Sequence, residues 1–259
     1  MQDYGLVSII TPSWNCARFV EETLQSILAQ TYSNWELLFQ DDCSTDETKE
    51  IIERYAAQDT RIKYACNAAN SGAAITRNNA LKRAKGRWIA FLDSDDLWMP
   101  TKLEEQVQFM AKKNIAFSYH EYIEINEQCQ EVGRLISGKK VVNRFDMYAC
   151  CWPGCLSVMY DAQEIGLIQI RDVKKNNDTA MWLRVIRKAN CHLLPITLGR
   201  YRRREGSITP PSIKDRILWH YRLFRDAENM GKIVSAILML INIVGNSYKK
   251  LFYVKKYSI

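Results

Sequence analysis

Histidine is scarce in this sequence, with three residues in 259. Eight cysteines are present, but none are spaced as C-x-x-C. The pair of shortages argues against a zinc site, which needs converging nitrogen and sulfur ligands. The opening MQDYGLVSII has neither a basic n-region nor a cleavage site, so no secretory signal is expected in it. Cys16, Cys43, Cys66, Cys129, Cys150, Cys151, Cys155 and Cys191 are then expected as reduced thiols in a cytosolic protein, mostly as small buried apolar residues. The apolar stretch KIVSAILMLINIVGNSYKK (232–250) has sixteen residues between Lys232 and Lys249. As a helix those residues reach roughly 24 Å, short of a ~30 Å hydrocarbon core, so they are not expected to span a bilayer. No internal repeat and no low-complexity linker divides the chain.

What the chain does have is a large apolar fraction, 47%, enough for a sizeable core. Its 36 Lys and Arg outnumber 29 Asp and Glu, for a net charge of +7. That balance suits an anionic partner: nucleic acid, a phosphorylated substrate or an anionic membrane.

The first half alternates apolar β-branched runs with helically spaced ones. LVSIITPSW (6–14), WELLFQ (35–40), RIKYAC (61–66) and RWIAFLD (87–93) read as strands. RFVEETLQSILAQ (18–30), TDETKEIIERYAAQ (45–58) and GAAITRNNALKRAK (72–85) read as helices between them. Thr45 is expected as an N-cap and Gly86 as a left-handed C-cap. Pro100 opens a further helix. Beyond ~115 the signals thin to strands at 115–126, 156–160 and 191–204, a helix at 178–190, and a helical tail from 212. This order predicts an α/β fold with a mostly parallel sheet flanked by helices.

Ligands of such sheets bind beyond the carboxyl ends of the strands. TPSWN (11–15), DDCSTD (41–46) and DSDD (93–96) all follow strands and should converge there. In DSDD, Asp93 and Asp95 at a strand end suit a small oxygen-loving cation, Mn²⁺ or Mg²⁺, whose other ligands come from a diphosphate. The plainer reading is an acidic surface turn. In DDCSTD a carboxylate can accept from a base or ribose, or serve only as a turn and cap residue.

In order and spacing, VSIITPSWN, DDCSTD, NSGAAITRNNAL and FLDSDDLWMPTKLEEQ resemble the N-terminal half of family 2 glycosyltransferases of GT-A fold. The likeness is densest over residues 6–108 and closest to the small bacterial enzymes of O-antigen and capsule synthesis. It implies a GT-A domain over 1–210, with a nucleotide-sugar half (1–110) and an acceptor half (111–210). Residues 211–259 are expected as a separate C-terminal helical segment, for which membrane association is one reading of its own pattern. By the same resemblance Pro12 and Trp14 line the base, and Asp41, Asp42, Arg77, Asp93 and Ser94 hold the nucleotide sugar. Asp95 would bind the cation. KKNNDTAMWLRVIRK (174–188) is similar to the family's acidic pair and Trp-Leu-Arg helix, which makes Asp178 the general base, with Asn177 where Glu is commoner. Asp178 is also a plausible N-cap. In LGRYRRREGSIT (198–209) the family pattern closes over the diphosphate, and Arg202 is taken for that role. Cys43 stands where the family usually has Gly, and an ordinary turn is expected there.

The implied activity is inverting, metal-dependent transfer of a hexose from a UDP-sugar to a lipid diphosphate-linked saccharide, with a β linkage. Its place would be the inner face of the cytoplasmic membrane. A sugar nucleotidyltransferase would carry a Gly-rich loop where TPSWNCARF has no glycine. A nucleic-acid-binding module would not carry acidic loops at its strand ends. A catalytically silent relative would have little need of Asp95 and Asp178. The tail reads as an interfacial amphipathic helix with a basic end. It reads equally as a helix packed on the core or joining copies of a homo-oligomer.

Overall fold

A computed structural model of the chain describes residues 2–171, 173, 175–204 and 212–258. Strands β1 (Val7–Ser13), β2 (Trp35–Asp41), β3 (Ile62–Cys66) and β4 (Trp88–Phe91) lie parallel in the order β4-β1-β2-β3. Their runs are apolar throughout because both faces are covered, and alternate side chains enter different cores. Val7, Ile9, Trp88 and Ala90 pack on one side of the sheet, with Val20, Leu24 and Ile27 of α1 (Ala17–Leu28). Ile10, Ile89 and Phe91 pack on the other, with Ala74, Ala80 and Leu81 of α3 (Ala73–Lys82). Between these helices in sequence, α2 (Thr48–Ala56) links β2 to β3.

The second half departs from parallel pairing. After β5 (Leu97–Trp98) and α4 (Lys102–Lys113), β6 (Phe117–Ile125), β7 (Glu131–Ile136), β8 (Val141–Val142), β9 (Met159–Asp161) and β10 (Cys191–Arg202) make the sheet mixed. β9 runs antiparallel to both β4 and β6 and so joins the two halves. β10 is parallel to β6 and antiparallel to β5. Helices α5 (Arg144–Ala149), α6 (Ala162–Ile165) and α7 (Asn177–Val185) lie among these strands in sequence. Then come α8 (Ile213–Arg222), α9 (Lys232–Phe252) and β11 (Val254–Lys256). β11 pairs antiparallel with β7, so the C-terminal segment supplies an edge strand as well as helices.

Much of LWMPTKLEEQ is framework. The Trp98 indole donates to Leu156 O (2.8 Å), and Lys102 lies over the same ring, 3.7 Å from its centroid. Gln106 Nε2 donates to Ser118 Oγ (3.0 Å) and Ser157 O (2.9 Å). The motif thus ties the turn after β4 to the second half of the fold.

Three local expectations are corrected. Thr45 is not a helix cap: α2 starts at Thr48, and Asp46 Oδ1 accepts from Thr48 N (3.1 Å). Gly86 is not a left-handed cap, since α3 ends at Lys82 with Arg83 at φ −91°. Gly86 is needed for close approach instead, because a Cβ there would lie 2.6 Å from Leu6 O and Ser8 N. Cys43 does not make an ordinary turn: its φ is +61°, the conformation glycine favours. A Cβ in that region costs roughly 1–2 kcal/mol. Cys43→Gly is therefore expected to raise stability by about 0.5–1 kcal/mol in a denaturant titration, after the entropy that glycine adds to the unfolded chain. A loss of stability would mean that the Cys43 Sγ contact to Asn67 O (3.1 Å) outweighs the strain.

His120 in β6 is 1% exposed. Burial, with the Lys102 charge added, lowers its pKa to about 3. Unfolded histidine takes its proton near 6.5, so the native state excludes a proton that the unfolded state binds. This group's contribution to stability is therefore lost as pH falls from about 6.5 toward 3, at about 1.4 kcal/mol per pH unit. Urea titrations over that window should show a shallower acid loss for His120→Asn, which keeps a donor where the ring Nδ1 meets Glu121 O (2.7 Å). Equal slopes in the two proteins would contradict the assignment.

Candidate active site

The polar ends of β1, β2 and β4 are brought to one edge by the parallel register, with Ser13 opposite Asp41. Pro12 lies within β1 and is buried, whereas Trp14 just beyond it is 59% exposed and offers an open ring face. Asp41 is buried and accepts from Ser13 Oγ (2.9 Å), Ser44 Oγ (2.5 Å) and Ser44 N (3.0 Å). Asp42 is also buried. It accepts from Asn67 Nδ2 (2.7 Å), Ser71 N (2.7 Å) and Gly72 N (2.8 Å), the last being the residue that opens α3. These two carboxylates shape the loops around the site through bonds within the protein.

Asp93, Ser94, Asp95 and Asp96 follow β4. Asp93 is partly exposed and pairs with Arg77 Nη2 at 2.8 Å. Asp95 Oδ2 pairs with Arg204 Nε at 2.7 Å. Burial pushes the Asp95 carboxyl above the ordinary carboxylate range, with Arg204 pulling against it and Asp93 adding to it. Asp96 is pushed up further by burial, then by Asp95 and Asp93, and its Oδ1 accepts from Arg202 N at 2.8 Å. Ser94 is nearly buried.

Arg77 of α3 connects this edge to the second half. Its guanidinium is buried and donates to Asp93 and to the side chain of Asn177, 100 residues further along. Burial works against its charge, but Cys155, Asp93 and Asp178 outweigh that and hold its proton more tightly than usual. Asp178 lies in the first turn of α7, half-buried. The N-cap position falls on Asn176, so Asp178 is not the cap. Its Oδ1 accepts from Thr179 N (2.6 Å) and Thr179 Oγ1 (3.3 Å). Trp182, one turn on, is buried edge-on against Phe91, with centroids 5.0 Å apart, and anchors α7 to the sheet.

Arg202 is fully buried. It donates to Asp95 O (2.8 Å), Glu127 O (3.0 Å) and the Glu22 carboxylate. It braces the turn that carries Asp95. Arg204, in the same basic run, is the arginine that faces the Asp95 carboxylate. The basic run RYRRR signalled this site but not which member faces it. Residues 205–209 of LGRYRRREGSIT lie outside the described residues.

Hard oxygen donors on a partly exposed carboxylate suit Mg²⁺ or Mn²⁺, and Asp95 provides one. Among the described residues no three His, Cys, Asp or Glu side chains form a ready-made cage. Phosphate oxygens would complete the coordination, as is usual for these ions.

The acidic end of β4 and the start of α7 are linked through Arg77, which binds Asp93 and the residue before Asp178. Residues 8–186 match the model of glycosyl transferase family 2, and the chain belongs to that family. It is a glycosyltransferase of GT-A fold. It is 39% identical over 217 residues to WfgD of Escherichia coli, a UDP-Glc:alpha-D-GlcNAc-diphosphoundecaprenol beta-1,3-glucosyltransferase, covering 83% of each chain. It is 38% identical over 205 residues to TuaG of Bacillus subtilis (strain 168), which is named for teichuronic acid biosynthesis, covering 79% of this chain and 81% of TuaG. S. aureus TarS 1–349, solved in complex with UDP-GlcNAc, has the same fold with a TM-score of 0.72 at 20% identity. That match covers 95% of this chain and 74% of TarS 1–349.

Proposed function

We propose that this glycosyltransferase moves a hexose from a UDP-sugar to a hydroxyl of a lipid diphosphate-linked saccharide, with inversion, in the building of a bacterial surface polysaccharide. The observation that carries the reading is the bridge made by Arg77. One buried guanidinium holds Asp93, on the donor edge, and Asn177, next to Asp178. That bridge supports a reading in which Asp93 serves the donor and Asp178 the acceptor at one site. The UDP donor, the lipid-linked acceptor and the β linkage are supported by likeness to WfgD.

In this reading Trp14 stacks on the base, and the loops braced by Asp41 and Asp42 enclose the nucleoside with Asp93 and Ser94. Asp95 would hold the divalent cation, which when bound neutralises charge on the leaving diphosphate. Arg204, paired with Asp95 here, is placed to meet the same diphosphate, while Arg202 keeps the turn in shape. Asp178 takes the proton of the acceptor hydroxyl. The hydroxyl oxygen bonds to the anomeric carbon from the face opposite the diphosphate. The bond from that carbon to the diphosphate oxygen breaks, and UDP leaves with the electron pair. The linkage is therefore inverted relative to the donor. The protein works at the cytoplasmic face of the membrane, where such an acceptor would be met.

A screen of UDP-, GDP- and dTDP-sugars with Mn²⁺, followed by NMR of the new anomeric proton, tests this. Turnover of a UDP-hexose to a β-linked product is expected. A retained configuration, or turnover only of GDP- or dTDP-sugars, would overturn the respective part.

A further inference from the structure

Helix α9 is inside out. Its two fully buried residues are polar, and an apolar stripe faces outward. Ser235 and Asn242 are buried, and Asn242 Nδ2 donates to Tyr148 O at 3.0 Å. Lys249 Nζ donates to Cys151 O (3.0 Å) and Trp152 O (2.6 Å). Gly245 lets the two backbones meet, since a Cβ there would lie 2.0 Å from Ala149 O. On the opposite side Ile233, Ile237, Leu240, Val244, Tyr248 and Leu251 recur at helical spacing, all between 48% and 77% exposed. A continuous apolar stripe of this length is unusual on a surface left in water.

Charge selects the occupant. Residues 232–258 contain five lysines and no Asp or Glu. Lys249 is tied inward, while Lys232, Lys250, Lys255 and Lys256 are exposed around the stripe. Residues 212–259 hold nine Lys and Arg against three Asp and Glu, which is +6 of the chain's +7. A second copy meeting this face would bring lysines against lysines with no carboxylate of residues 232–258 between them. No helix among the described residues is long and apolar enough to cross a membrane. We infer that α9 lies flat in the surface of an anionic bilayer, its outward stripe in the boundary between headgroups and acyl chains and its lysines on the lipid phosphates.

The inward face makes this more than an anchor. The stretch from Tyr148 to Trp152 that α9 grips also touches α7, where Thr179 Oγ1 lies 3.2 Å from Cys151 Sγ. The helix bearing Asp178 is thus one layer from the bilayer surface. The inference deepens the proposed function by giving the lipid-linked acceptor its approach, and it rests on that reading only for this purpose.

The test uses the full chain, without donor or acceptor, in sedimentation with vesicles of phosphatidylglycerol and phosphatidylcholine. The wild type should bind mixed vesicles and should bind pure phosphatidylcholine much less. Ile237→Ser/Leu240→Ser/Val244→Ser, all at outward positions, should weaken binding at least about tenfold with an unchanged melting curve. Lys250→Glu/Lys255→Glu/Lys256→Glu should remove the preference for anionic lipid, and salt should weaken the wild type only in part. Absence of wild-type binding, or equal binding by both variants, would overturn the inference. So would a wild-type dimer in light scattering that becomes monomeric in the serine variant. Donor hydrolysis is measured separately, so failure on vesicles and failure of the transferase reading are told apart.

Discussion

Asp178→Asn is expected to slow sugar transfer by about 10²-fold or more while donor affinity stays nearly unchanged. The acceptor hydroxyl must lose its proton as its oxygen attacks, and an amide cannot take it. The substitution preserves shape, and the contact that Asp178 makes to Thr179 N is one an asparagine oxygen can keep. Turnover and donor titration are measured on the same preparation. Collapse of donor affinity with surviving turnover would make Asp178 a binding residue and remove it from the proton step.

Asp95→Ala should reduce transfer about 10³-fold or more, because the diphosphate then leaves with its charge unopposed. EDTA should do the same to the wild type, and Mn²⁺ or Mg²⁺ should restore it. Burial raises the Asp95 carboxyl above its ordinary value, so protons compete with the cation at higher pH than at a solvated aspartate. The Mn²⁺ concentration for half-maximal rate should therefore increase as pH falls toward the ordinary carboxylate range. Full activity in EDTA would remove the metal from the reading. If Asp95→Ala were as active as wild type, the Asp95–Arg204 pair would be merely structural.

The parallel half of the sheet was legible because its physics is local. Buried strands need uninterrupted apolar runs, and the polar clusters that end them share one edge by topology. The apolar runs before DSDD and DDCSTD are enough to put both clusters at that edge. The region 127–155 was not legible in that way. Its strand β7 is partly buried without strict alternation, β8 has two residues and α5 six, so no period shows. Cys43 was misread because the chemistry of a side chain does not report the sign of its φ, which the surrounding loop imposes. Gly86 was misread because its constraint comes from β1, more than 70 residues away. Arg202 and Arg204 are indistinguishable as letters. Only the packing of β10 on the turn after β4 buries one and leaves the other beside Asp95. For α9 the periodicity gave two faces, but which one turned inward depended on the carbonyls of Tyr148, Cys151 and Trp152.

The bridge from Arg77 to Asn177 limits how the enzyme can be recombined. A chimera cut near residue 110, joining residues 1–110 to the remainder of a relative, would separate the guanidinium from its partner across the seam. A relative with Glu at the position of Asn177 would place a carboxylate on an arginine already paired with Asp93, and the cleft would gain a negative charge. Exchange of acceptor specificity by swapping halves should then succeed only when residues 77 and 177 travel together. In a double-mutant cycle their effects should be non-additive, as for any two residues in direct contact. Arg77 thus adds a polar tie to the β9 pairing and to the Trp98 and Gln106 contacts that already join the two parts of the fold.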